Sequence, residues 1–404
     1  MYQPKIYLCL KNEFIMRYHI TSLLILLAVI SGCAPETAFQ DKKTIPLISW
    51  GGIPADKADN LFALGKECGF DMHLGLYSKQ TNAMLTMDAA ERAGMGIIIN
   101  FPQLKDSTES VIPLIKNHPA LVAYHIKDEP VADDMPALKE LIDKISLLDS
   151  SHPCYVNLLP NWSWGVDEYV SNIDRFASEF DLPFYSFDHY PIVEENGKIE
   201  VRSEWYRNLE EFSAMARSNG KPFWAFALAT SHSITVPQIA HYPEPTLGQI
   251  RLQVFSNLLY GAQAIQYFTY AGLVDVSTCT RKPLFDIVQK VNSQVKSYSH
   301  VFHGCQVRGV WHTGDSIPSG TEMLSGMPHR KVKQLKTDGN GAVVSLIEND
   351  RNAYLAVQNR DCENGMILEI LFKGRVKILT GEGEKDSNGE KIEIDPGDVV
   401  IFRL

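Results

Sequence analysis

Eight short apolar runs, each followed by a stretch of helical periodicity, recur between residues 45 and 300. This rhythm constrains the fold more than anything else in the chain. The runs are 45–50 (IPLISW), 70–76 (FDMHLGL), 95–101 (MGIIINF), 121–127 (LVAYHIK), 154–159 (CYVNLL), 183–190 (PFYSFDHY), 222–228 (PFWAFAL) and 264–270 (AIQYFTY). Continuous rather than alternating apolar character is what strands buried on both faces of a parallel sheet require. Between them, stretches such as 55–68, 135–149 and 204–218 repeat apolar residues every three to four positions, as amphipathic helices do. Gly69, Gly94 and Gly220 stand just before the next strand, where a helix C-cap needs them. Eight β-then-α units in about 255 residues predict a (β/α)8 barrel. A doubly wound sheet is the alternative, but the first strand runs into Ser49-Trp50-Gly51-Gly52-Ile53-Pro54, which is not a Gly-rich phosphate loop.

Beyond about residue 300 the rhythm changes to alternating apolar and polar positions with Gly, Asn and Asp at the joints, the pattern of a β-sandwich of about 100 residues. The fold class expected is therefore α/β: a TIM barrel over 44–300 followed by an antiparallel β-sandwich over 301–404. The second domain carries no obvious catalytic cluster and reads as a packing module, or a sugar-binding one.

The N-terminus stands apart. Residues 20–30 (ITSLLILLAVI) are almost wholly apolar and follow Arg17 and His19, the make-up of a secretory signal and too short to span a bilayer. The run ends Ile30-Ser31-Gly32-Cys33, which resembles the bacterial lipobox, so residues 1–33 are expected to be a lipoprotein signal with Cys33 as the lipidated residue. Residues 34–43, polar and Pro-containing, read as a tether. These features predict a bacterial cell-envelope protein, anchored to the outer membrane and facing the periplasm or the cell surface. An ordinary signal peptide with a chance Cys is the alternative.

Composition narrows the partners. The 404 residues carry 38 Lys and Arg against 48 Asp and Glu, a net charge of −10, which argues against a nucleic-acid partner held by phosphate neutralisation. Beyond Cys33 five cysteines remain, an odd number at wide spacing without a CxxC, so neither a disulfide framework nor a zinc site is expected. No cofactor motif and no metal-ligand spacing occurs.

In such a barrel the chemistry forms at the C-terminal ends of the strands. Reading those ends gives Trp50, Asn100, Asp128 with Glu129, Asn157 with Trp162 and Trp164, Asp188 with His189 and Tyr190, His232, and Tyr267. Aromatic rings stack on the C–H faces of sugars, while carboxylates and amides bind hydroxyls in pairs, so this set points to a glycan cleft. His73, within strand 2, reads as packing.

Tyr124-His125-Ile126-Lys127-Asp128-Glu129-Pro130, closing strand 4, resembles the Asn/Asp-Glu-Pro signature of clan A glycoside hydrolases. Ser186-Phe187-Asp188-His189-Tyr190-Pro191, the stretch from Gln249 to Phe268, and the end Ile394-Asp395-Pro396-Gly397-Asp398 resemble clan-A-like proteins of glycan-degrading bacteria. The resemblance implies that Glu129 is the general acid/base of a hydrolase acting on a polysaccharide or oligosaccharide. It also implies a nucleophilic Glu at the end of strand 7, where this chain reads Leu228-Ala229-Thr230-Ser231-His232. Hydrolysis needs a second carboxylate. Asp188 is the first choice, Asp128 the second if it is not turned into the wall or paired with Lys127, and Glu244 a third that would have to swing in. Two other readings follow from the missing Glu: a glycan-binding surface lipoprotein on a barrel that has lost catalysis, and a lyase using Tyr190 or His189 as base.

Overall fold

The computed structural model describes residues 43–235, 240–381 and 383–404. The expected signal segment, Cys33 and all but the last residue of the tether lie outside these.

Eight parallel strands close into a barrel: β1 (Leu47–Gly51), β2 (Met72–Leu76), β3 (Gly96–Asn100), β4 (Leu121–Asp128), β5 (Cys154–Leu158), β6 (Tyr185–Phe187), β7 (Phe223–Leu228) and β8 (Ala264–Phe268). Each pairs with its neighbours in sequence, and β8 returns to β1 with Leu47 opposite Ile265. Long helices alternate with them: α1 (Ala58–Glu67), α2 (Gln80–Arg92), α3 (Thr108–Ile115), α4 (Met135–Leu148), α5 (Tyr169–Glu179), α6 (Trp205–Ser218), α7 (Leu247–Leu259) and α8 (Pro283–Ser297). The expected barrel is thus the observed one. Gly94 and Gly220 take the left-handed φ of 62° and 63° that ends α2 and α6.

Inside the barrel the strands carry two layers of different chemistry. Toward the N-terminal ends Ile48, Met72, Leu74, Ile98 and Ala264 pack on Phe184, which stacks on Trp224 with ring centroids 3.7 Å apart. Above them Tyr155, Ser186 and Gln266 form a buried hydrogen-bonded set that supports the cavity at the C-terminal ends.

The described parts of the loops after β6 and β7 form strands. Ile192–Glu195 and Lys198–Val201 form a hairpin about Asn196-Gly197, whose φ values of 52° and 74° suit a two-residue turn. That hairpin pairs with Ala240–Tyr242, which pairs in turn with His232–Ile234. This small antiparallel sheet stands beside the barrel mouth.

The C-terminal domain has seven antiparallel strands: β9 (Gln306–His312), β10 (Val332–Thr337), β11 (Ala342–Asn349), β12 (Asn352–Asn359), β13 (Met366–Thr380), β14 (Gly383–Ile394) and β15 (Val399–Arg403). The long β13 pairs with β10 through residues 368–372 and with β15 through 377–378, and an irregularity between Leu371 and Val376 bends it from one layer to the other. Leu355, Val357, Leu368, Ile370 and Phe402 fill the space between, as the alternating pattern predicts.

The opposite face of this sheet covers the barrel. Val343, Ile347, Ala356 and Ile401 join the barrel's core cluster, and α7 is buried on every side because it lies between sheet and barrel. Gln358 is wholly buried there, donating to the backbone oxygens of Arg251, Leu252 and Gly397 and accepting from Ser256 Oγ at 2.8 Å.

Candidate active site

Register brings the site together. In the β4–β5 ladder Asp128 lies opposite Asn157, and in β5–β6 Asn157 lies opposite Ser186, so the three stand in one row. Asp188 is two residues beyond Ser186, on the same face one pleat higher. A bulge between His125 and Lys127 re-aims the end of β4. His125 faces the interior against Tyr155, with centroids 5.3 Å apart, while Lys127 turns away to Asp134 at 3.2 Å. Asp128 consequently enters the cavity, and neither faces the wall nor pairs at hydrogen-bond distance with Lys127. Glu129 follows in a left-handed conformation, φ 47°, with its amide donating to Asn157 O at 2.9 Å. Strained backbone of this kind concentrates at functional sites.

Asn157 ties the carboxylates together. Its Oδ1 accepts from Ser186 Oγ at 2.9 Å, which fixes the flip of the amide. Its Nδ2 then donates to Asp188 Oδ1 at 3.0 Å and to Asp128 Oδ1 at 3.2 Å. The Tyr190 hydroxyl acts on the Asp188 carboxylate and favours its ionised form. A cavity of about 220 Å³ opens above, and Glu129 belongs to its wall.

Electrostatics follow from this crowding. Glu129 is open toward the cavity yet ringed by protein, and its carboxyl is pushed up to about 7, by burial first and by the Asp128 charge second. Asp188 is raised as well, by burial first and then by the charges of Glu129 and Asp128, while the Asn157 hydrogen bond and the Tyr190 hydroxyl favour its ionised form. Burial also raises Asp128, offset by Asn157 and Lys127. Three acids sharing one pocket cannot all ionise cheaply, and a carboxyl near 7 is suited to give and take a proton at neutral pH.

Of the residues named from sequence, Trp50, Asp128, Glu129, Asn157, Trp162, Asp188, His189, Tyr190 and His232 line this cavity together. Three do not. Asn100 donates to His125 O at 2.7 Å and so braces β4 instead. Trp164 packs on Tyr169 over α5 and lines a separate surface pocket. Tyr267 is wholly buried behind β8, its hydroxyl donating to Asn292 of α8 at 2.8 Å, because the alternation along β8 puts Gln266 inside and Tyr267 outside. Replacing Tyr267 with Phe is expected to leave turnover unchanged and cost about 1 kcal/mol of stability in a denaturant titration, the scale of one buried hydrogen bond. Glu244 is exposed and does not line the cavity. His73, as expected, is packing: it is fully buried and bonded to Ser49 Oγ and Gly51 O.

Sequence reading missed Phe226, Phe268, Ile234 and Tyr242, which complete the aromatic and apolar wall. Phe268 packs on Trp50 at 4.8 Å, and Tyr242 stacks on His232 at 5.9 Å. Ile234 and Tyr242 come from the small sheet beside the mouth; the Asn196-Gly197 turn signal was the clue to it. The end of β7 supplies no carboxylate: Ala229 is buried there, its amide donating to Phe268 O. Cys68, Cys154, Cys279, Cys305 and Cys362 are all free.

Residues 136–302 match the family model of glycoside hydrolase family 42, described as beta-galactosidase. The match begins after Glu129 and takes in Asp188. One solved structure, described as a glycoside hydrolase, is similar at a TM-score of 0.56 and 11% identity over 89% of this chain and 92% of that one. A glycoside hydrolase family 5 protein from Bacteroides vulgatus ATCC 8482 is similar at 0.54 and 13% identity, over 88% of this chain and 89% of that one. No curated protein matches the sequence. At these identities the structures establish the fold, which they share through both the barrel and the C-terminal sheet domain. The resemblance to glycoside hydrolases therefore holds in sequence over residues 136–302 and in fold through the barrel and the sheet domain.

Proposed function

We propose that this protein hydrolyses an O-glycosidic bond, with Glu129 as the general acid and Asp188 as the second carboxylate. The observation that carries the reading is the cavity itself. A carboxyl held near 7 at the end of β4 shares an aromatic-walled pocket with Asp188, and one oriented amide fixes that partner. Glu129 would protonate the leaving oxygen; Asp188 would act at the anomeric carbon, directly or on a water. The family match and the shared fold support the class of reaction. The beta-galactosidase description makes aryl β-galactosides the first substrates to try, beside a panel of polysaccharides. Turnover that falls at least about a hundredfold in Asp188→Asn supports its role, and unchanged turnover removes it. Product anomers followed by NMR decide between retention and inversion.

The absent carboxylate at the end of β7 favours a second reading, glycan binding without hydrolysis. Saturable binding of a glycan with no turnover on prolonged incubation would establish it. The lyase reading is weaker, since burial and the surrounding carboxylates push the Tyr190 phenol well up, which makes it a donor rather than a base.

Cys33 extends the proposal to location. The lipobox-like Ile30-Ser31-Gly32-Cys33 after an apolar run supports a lipid anchor in a bacterial envelope. Metabolic labelling with a radioactive fatty acid should tag the full chain and not Cys33→Ala; equal labelling of both would refute the anchor.

A further inference from the structure

Among the described residues the cavity gathers three carboxylates and no cation. Lys127 is turned out to Asp134, and Arg202 lies behind the ring of Trp162 at 4.8 Å, paired with Glu204 at 3.3 Å. Burial lowers both histidines of the wall, His189 to about 4, which disfavours their charged forms. Residues 236–239 read VPQI and bring no ionisable side chain. The charges acting on Asp188 are those of Glu129 and Asp128, and the neutral Asn157 amide spans Asp128 and Asp188.

Hydrolysis uses two carboxylates. The third, Asp128, is surplus to that chemistry, yet the bulge in β4 and the Asn157 bond hold it at the cavity wall beside the acid. Lys127 acts on Asp128 only from outside the cavity, so a ligand that brings a positive charge to the cavity side meets carboxylates and no lining cation. A compact ammonium offers three donors and forms charge-assisted hydrogen bonds of about twice the neutral strength.

We propose that the cavity takes a sugar residue carrying a free amine, with the Asp128 carboxylate as the partner of its ammonium group. This rests on the reading of the cavity as a glycan site and names the class of glycan. Sugars bearing carboxylate or sulfate meet like charge and are rejected. N-acetylation of the amine, which removes its charge, removes the preference.

The test compares matched pairs, so that ring stereochemistry cancels: glucosamine against glucose, galactosamine against galactose, and mannosamine against mannose, with N-acetylglucosamine and glucuronic acid as controls. Affinities are read by calorimetry on the full chain near neutral pH. In at least one pair the amine should bind about tenfold tighter or more, the scale of one charge-assisted hydrogen bond. Asp128→Asn should bring that pair together, and glucuronic acid should not saturate. Equal affinities within every pair, or a preference that survives in folded Asp128→Asn, would overturn the proposal. Turnover of neutral aryl glycosides without any amine preference would sink this inference and leave hydrolysis standing. Amine-selective binding with no turnover of any glycoside would do the reverse.

Discussion

Replacing Glu129 with Gln is expected to lower kcat/KM on unactivated glycosides by about 10²–10⁴-fold, the usual contribution of one positioned general acid. The pH profile sharpens the expectation. Glu129 stays protonated up to about 7, so the wild-type rate should fall as pH rises through that region, and this limb should vanish in the variant. Stability should fall over the same range. Burial and the Asp128 charge raise Glu129 above its unfolded value, so its ionisation disfavours the folded state, progressively as pH rises from near 4.5 to above 7. Glu129→Gln should therefore melt higher than wild type at pH 8 and show no such gain at pH 4. A variant that is equally active, or that melts lower at pH 8, would contradict the electrostatic account of the site.

The second large effect lies outside the cavity wall. Gly397 holds a left-handed φ of 64° in the turn before β15, with its carbonyl accepting from Gln358 Nε2 at 3.0 Å. An added Cβ would collide with the Gly248 carbonyl oxygen, and Gly248 itself is pressed on the Cys362 carbonyl. The backbones of α7 and the sheet domain touch directly at this point. Beside it Arg251 of α7 reaches Asp398 at 3.0 Å and Asp395 at 3.3 Å. Gly397→Ala combines backbone strain with overpacking, and about 2–4 kcal/mol of destabilisation is expected in chemical denaturation. Because α7 is core to both domains, barrel and sheet should lose structure in one transition. A neutral substitution, or two separable transitions, would show that the sheet is an appended module rather than part of the barrel's core.

The sequence was most readable where burial sets the pattern. Apolar runs such as 95–101 have no other reading than a strand buried on both faces, and eight of them admit few topologies. Glu129 was found through its flanking Asp128 and Pro130 at a strand end. What could not be read was side-chain direction. The bulge that turns Asp128 inward is a backbone irregularity at Ile126, and no residue type announces it. Tyr267 was misplaced because an aromatic at a strand end serves the inside or the outside equally well and only the phase of the pleat decides; Trp164 closes the helical turn Asn161–Trp164 beyond β5, whose course no residue type announces. Asn157 was named as one binding residue among several, yet its role as the tie between two acids depends on Ser186, which sequence distance hides. The wall contributed by Ile234 and Tyr242 depends on long-range pairing between two loops, with the Asn-Gly turn as its one local sign.

The central claim is that Glu129 gives its proton to a leaving oxygen. Leaving-group dependence tests this directly, using aryl glycosides of one sugar with phenols of graded acidity on wild type and Glu129→Gln. A phenol acidic enough to depart unaided needs no acid, so the variant should approach wild type on dinitrophenyl glycosides while losing about 10²–10⁴-fold on alkyl or weakly acidic phenyl glycosides. A loss of equal size across the whole series would show that Glu129 does not act as the acid.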